Sequence, residues 1–315
     1  GAPVAITVEG ANIMTRTLIQ FGQGVIRCHP YAYKEIQALE EVDVKAFDEN
    51  FFKHVGFTLR NMVRMTLLSL TRGYLNFSSR SSLIAKYERK LVWSSATFAF
   101  LTDFVMGYYG GGLKQKEKVT TRFGDVLSWM YLLTATLKRF EAEGEKAEGR
   151  VYEQWLGDYA LYEIQKAYEE ISQNIDRSIV GLFFAYPVGC FMRLNALAKA
   201  PNDHLSKSLA AKLVTDSYER ETLTEGIYIP QNKKEALGRL EHAFKLSRKA
   251  NEIAAKVKTA VKAKRLQKGP VLYDDALRED VITKEEHSLI TEAKKVKEAT
   301  IMVDDFSMKD YLQRT

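Results

Sequence analysis

From Phe51 to Leu182 the apolar residues recur at steps of three and four, the spacing that gathers side chains on one face of a helix. Val55, Leu59, Met62, Val63, Thr66 and Leu70 form the first such stripe, and that face requires a partner. Ile84, Tyr87, Leu91, Ser94, Phe98, Leu101, Val105 and Tyr108 form a second, near-heptad stripe. Gly110, Gly111 and Gly112 should stop that helix, because residues without a Cβ favour a left-handed exit over another turn. A third stripe aligns Phe123, Val126, Leu127, Met130, Leu133, Leu137 and Phe140 and closes at the charged "EAEGEKAEG". The fourth aligns Leu161, Ile164, Tyr168, Ile171, Ile175, Ile179 and Leu182. Four amphipathic helices joined by short connections predict an antiparallel bundle over residues 48 to 190.

Beyond Pro201 the pattern weakens and charge takes over. Residues 233–268 hold twelve Lys or Arg against three Glu, in a chain whose net charge is only +6. Leu240, Phe244, Ser247, Ala250, Ala254, Val257 and Val261 keep a thin helical stripe, so this stretch reads as a basic amphipathic helix ended by Pro270. Only Phe244 and Tyr273 lie near it, too few aromatics to stack single-stranded nucleic acid, so no nucleic-acid partner is expected. Anionic headgroups could meet the positive face, and a solvated surface is the plain alternative. An acidic helical tail follows, with "VDDFSM" as its last apolar anchor.

Composition fits an all-α chain: 46% of 315 residues are apolar, prolines number six, and Ala, Leu, Glu and Lys dominate the long segments. Two distant cysteines, Cys28 and Cys190, suggest a reducing compartment, and the opening residues do not form a signal peptide. Ser178 to Met192 is uncharged but interrupted by Pro187 and shorter than the roughly 20 residues of a span, so it reads as buried or interfacial. Leu91 to Leu113 is long enough but holds Asp103 near its centre, which favours a packed core helix.

The five histidines, His29, His54, His204, His242 and His287, are scattered and the cysteines show no ligand spacing, so no metal site is expected. There is no G-x-S-x-G elbow and no P-loop, since "GYYGGG" lacks the Lys-Ser/Thr that a P-loop needs. Glu9 stands apart. It precedes Gly10, which allows close backbone approach, and the small Ala11 and Asn12, before "NIMTRTLIQFGQG" continues as a helix. A carboxylate so placed could serve as a positioned base or merely as an acid at a helix N-terminus.

"TVEGANIMTR" resembles the catalytic-base motif of the acyl-CoA dehydrogenase family, and "VAITVEGANIMTRTLIQFGQGVIRCHPY" is closer still to the large bacterial type with a long C-terminal extension. "FKHVGFTLRNMVRMTLLSLTRG", "GGGLKQKEKVTTRFGDVLSWMYLLTATLKRFEAEG" and the terminal "VDDF" extend the resemblance over essentially the whole chain. It implies that Glu9 removes the α-proton of a fatty acyl-CoA while FAD takes the β-hydrogen, and that Glu9 and Gly10 bind substrate. Ala11 stands where the family has a Thr that contacts flavin, with Asn12 beside it, and Val8 replaces the family's aromatic residue.

The resemblance further implies an electron-transfer acceptor and a homo-oligomer; the cysteine usage points to the cytoplasm, with a peripheral place on the inner membrane if residues 233–268 meet anionic lipid. On this reading residues 1–45 finish the dehydrogenase's helical domain, 46–200 form a bundle extension, and 201–315 form a basic helical tail region. Such a C-terminal portion alone should bind FAD poorly and turn over no acyl-CoA. The competing expectation is a non-catalytic helical scaffold that docks on a membrane or protein partner.

Overall fold

The computed structural model describes residues 12–76, 82–215 and 217–303, and among these the fold is all-α with no strand. By internal contacts the chain divides into two compact units, Gly1–Glu219 and Arg220–Thr315.

The first unit opens with a π-helix, Thr15–Gln23, that runs directly into α1 (Gly24–Cys28), followed by α2 (Ala32–Glu40). Four long helices come next: α3 (Val44–Leu70), α4 (Ser82–Tyr109), α5 (Glu117–Ala142) and α6 (Arg150–Gln173). Asp43 caps α3 by accepting from the Ala46 N–H at 2.9 Å. The helix ends where Arg72 and Gly73 turn left-handed, at φ +51° and +82°. A Cβ at Gly73 would stand 2.9 Å from the Arg89 carbonyl oxygen, so only glycine lets α4 return this closely. Gly110, at φ +52°, ends α4, and the chain continues as a 3₁₀ turn, Gly110–Gln115.

Ile84, Tyr87, Leu101, Val105, Phe123, Val126, Leu133, Leu161, Ile164 and Ile171 meet in one core and are at most 1% exposed, so the second, third and fourth stripes converge. Contacts run antiparallel between neighbours: Thr58 with Asp103, Phe98 with Phe123, and Thr136 with Glu153. Asp103 on α4 is 8% exposed inside this packed helix.

Three expectations are corrected. First, the α3 stripe faces outward: Val55, Leu59, Val63 and Leu70 are 41%, 53%, 52% and 61% exposed, while Asn61 and Leu68 of the opposite face are buried. The periodicity identified an apolar face but could not say which element covers it. Second, the fourth helix stops at Gln173 although its apolar period continues. Ser178 accepts from the Gly181 N–H and starts α7 (Ile179–Phe183), leaving Ile179 87% exposed. A π-turn through Pro187 (Phe184–Val188) then leads into α8 (Gly189–Leu194), and α9 (Asp203–Leu213) closes the unit. Trp155 donates to Ser206 at 3.0 Å, which ties α9 to α6.

The third correction falls in the second unit, which holds α10 (Ala236–Lys262), α11 (Leu272–Arg278) and α12 (Lys284–Ile301). Ile253, Val257 and Ala260 pack with Ala276, Ile282 and Ile290, so the buried stripe lies about one residue round from the expected one, and Leu240 is 54% exposed. Lys264, at φ +60°, ends α10 well before Pro270. Thr283 and Glu286 form a reciprocal capping box at the start of α12. Among the described residues no helix is long and apolar enough to cross a membrane.

Candidate functional site

Glu9, Gly10 and Ala11 lie outside the described residues, and Asn12 is exposed at the start of the helix that follows them. That helix is fixed to α5 along its length. Arg16 grips Asp125 in a fork of three hydrogen bonds of 2.6–2.9 Å. One turn on, Gln20 donates to the Gly124 carbonyl and to Ser128, and Phe21 stacks on Phe123 at 4.4 Å between centroids. Gly124 permits the approach, since a Cβ there would lie 3.0 Å from the Arg16 carbonyl oxygen. The stretch from Arg16 to Phe21 is therefore anchored on the bundle.

Where this helix ends, the fold assembles a cluster that the sequence scatters. His29 Nε2 donates to Asp103 Oδ1 at 2.9 Å, and Thr58 donates to Asp103 Oδ2 at 2.8 Å. His54 sets Nδ1 2.9 Å from Glu35 Oε1 and Nε2 3.6 Å from Asp103 Oδ1. The two imidazoles lie 4.5 Å apart between centroids, and the Phe57 ring stands edge-on to His29. Burial alone would push the Asp103 carboxyl up. The donors from His29, His54 and Thr58 outweigh burial and hold it at about 2. His54 is shifted up from 6.5, first by Asp103 and then by Glu35, against the opposing effect of burial.

The three ligand-type groups His29, His54 and Asp103 lie within 4.8 Å of one another. The wiring of His29 does not suit a metal. His29 Nδ1 accepts the backbone N–H groups of Tyr31 at 3.2 Å and Ala32 at 3.0 Å, so the ring carries its proton on Nε2. A metal on Nε2 would move that proton to Nδ1, facing two donors. His54 holds Glu35 on Nδ1, and its Nε2 faces Asp103 at 3.6 Å, beyond hydrogen-bond distance. The cluster therefore acts as an ionic pin that joins the α1–α2 corner to α3 and α4. The one cue in the sequence was Asp103, the only charged residue between Leu91 and Leu113.

Two open clefts flank the pin. One, of about 270 Å³, is lined by Phe21, Val25, Phe57, Phe98 and Leu127 and reaches Thr102 and Asp103. The other, of about 350 Å³, is lined by Ile26, Ile36, Met106 and Leu113, with Lys114 set against Glu35 and Asp103. A flavin dinucleotide carries a diphosphate that needs donors or cations. The first cleft has no Lys or Arg in its lining, and the second sets Lys114 and His54 against two carboxylates. Neither of these two clefts is built to hold that diphosphate.

Residues 26–306 match the family model described as "Acyl-CoA dehydrogenase, C-terminal, bacterial type", which is most of the chain, so the chain belongs to that family. No solved structure matches it.

Proposed function

We propose, from the premise that the chain belongs to the bacterial-type acyl-CoA dehydrogenase C-terminal family, that it supplies the general base for α,β-dehydrogenation of a fatty acyl-CoA. Glu9 is that base. It takes the α-proton, and the amide at Glu9 and Gly10 donates to the thioester carbonyl, where the developing enolate charge is stabilised. The observation that supports this reading is the anchored helix downstream: Arg16, Gln20 and Phe21 bind it to α5 at three successive points, and a base must ride on a rigid element to stay within reach of a carbon-bound proton.

FAD is the hydride acceptor that the family resemblance implies, and the lack of a diphosphate site in the two clefts beside the pin supports a seat elsewhere. The trans-2-enoyl-CoA product, and the contribution of Ala11 and Asn12 to flavin contacts, belong to the same proposal. The present chain by itself should then neither retain FAD nor oxidise acyl-CoA.

The test separates the base from the redox step. In the enzyme carrying its flavin, Glu9→Gln should lower dye-coupled oxidation of a fatty acyl-CoA by about 10²–10⁴-fold and abolish exchange of the α-proton into D₂O, with flavin content unchanged. Near-normal α-proton exchange in the variant would assign the base elsewhere.

A further inference from the structure

The largest anomaly of the first unit is the outer face of α3. At 3.6 residues per turn, Phe51, Phe52, Leu59, Val63, Leu67 and Leu70 fall within an arc of about 160°, along a helix about 40 Å long. Phe52 is 71% exposed, Leu59 53%, and Leu70 61%. Tyr74 and Leu75, at the tip of the turn after α3, prolong the strip at 66% and 50% exposure. A contiguous apolar strip of this size marks an interaction site.

Its charge narrows the choice of partner. From Asn50 to Tyr87 the sequence contains no Asp or Glu, while Lys53, Arg60, Arg64, Arg72, Arg80 and Lys86 fall within it. Arg60 and Arg64 occupy one flank of the apolar arc, and Lys53 pairs with Glu49 at its N-terminal end. A second stretch has the same character. Between Arg177 and Asn202 there is again no acid, and Ile179, Phe183 and Tyr186 are 87%, 55% and 70% exposed. Met65 and Ser69 of α3 line one cleft with Val188, Phe191 and Met192 of that stretch, so the two acid-free segments adjoin.

We propose that the outer face of α3, with the neighbouring α7–α8 segment, docks on an anionic lipid surface. A helix with large apolar residues on one side and, from Asn50 onward, only cations beside them is the form that lies in a bilayer interface, its apolar face among acyl chains and its cations at headgroup level. A second copy of the chain is a poorer occupant, because a two-fold contact would set the same cations against each other. The surface is distinct from the basic helix α10, whose apolar side is turned inward on Ile282 and Ile290.

The experiment is co-sedimentation of the 315-residue chain with vesicles of phosphatidylcholine alone and of phosphatidylcholine with one-quarter phosphatidylglycerol. Binding is expected on the anionic vesicles and should weaken with salt. Leu59→Glu with Val63→Glu, both at exposed positions, should abolish it. Arg60→Gln with Arg64→Gln should weaken it roughly 30-fold, at about five-fold per cation. Circular dichroism and sedimentation velocity on the same samples check the fold and the oligomeric state. No binding to anionic vesicles at low salt overturns the proposal. So does binding that survives Leu59→Glu/Val63→Glu but is lost with Lys245→Glu/Lys249→Glu, which would assign the contact to α10. A vesicle-independent dimer dispersed by Leu59→Glu/Val63→Glu would instead make the face a contact between copies.

Discussion

Asp103 Oδ1 accepts a hydrogen bond from His29 Nε2 at 2.9 Å, across 74 positions of sequence, and His54 Nε2 lies 3.6 Å from the same oxygen. One buried carboxylate thus ties together the corner between α1 and α2, helix α3 and helix α4. Removing its charge should therefore be felt well beyond α4.

Asp103→Asn is expected to cost roughly 3 kcal/mol at pH 6, because it leaves the His54 ring without one of its two counter-charges in a buried site. Urea denaturation measures it. The pH dependence has two limbs. Asp103, held at about 2 against an ordinary 3.8, contributes stability above 3.8 that is lost as the pH falls through about 2. His54, shifted up, contributes stability fully present below 6.5 that is lost as the pH rises through its folded value. Stability from the pin should peak between these limits, and the acid limb should flatten in Asp103→Asn. An unchanged acid limb would show that the carboxylate is not the group that titrates.

Glu153 on α6 is 3% exposed, and burial raises its carboxyl from 4.5 to about 7. A carboxyl raised on folding weakens the fold as the pH climbs from 4.5 through 7, by roughly 3 kcal/mol once it is fully charged. Glu153→Gln keeps an acceptor for the Thr136 hydroxyl at 3.4 Å and removes the charge. It should leave the melting temperature nearly unchanged at pH 5 and raise it at pH 8, and equal effects at both pH values would contradict this account.

Gly157→Ala should destabilise, although alanine is the better helix former by about 1 kcal/mol. A Cβ there would stand 2.5 Å from the ring of Tyr87. That ring is fully buried, and its hydroxyl donates to the Gln154 carbonyl at 2.9 Å. It cannot retreat without breaking the core, so a loss of about 1–3 kcal/mol is expected in chemical denaturation.

Thr102→Val tests the opposite case. The Thr102 hydroxyl is buried and has no hydrogen-bond partner among the described residues. Replacing it with a methyl group removes an unsatisfied polar group, so the variant should be neutral or up to about 2 kcal/mol more stable by thermal melting. A large loss would mean that the hydroxyl is used.

Much of the fold was legible in the chain. The stripes of α4, α5 and α6 give both the helices and their buried faces, because Tyr87, Phe123 and Leu161 each sit where a period of 3.6 aligns them with large apolar neighbours. The stop at Gly110 was equally readable, since positive φ at a glycine is a local property. The candidate site was not. Histidines 25 positions apart, His29 and His54, carry no ligand spacing, and only the packing of α1 and α3 on α4 brings them to one carboxylate.

The helical class, three of the four buried stripes and the presence of an apolar face on α3 can be read from the chain alone, since they follow from local periodicity and turn chemistry. The tertiary structure decided which way that face looks, where α6 gives way to a Ser178-capped restart, and that Asp103 has two imidazoles as neighbours. The physical reason is that a period of 3.6 places side chains on a face but carries no information about what lies opposite. Partners across 45 or 74 positions are set by how the helices pack.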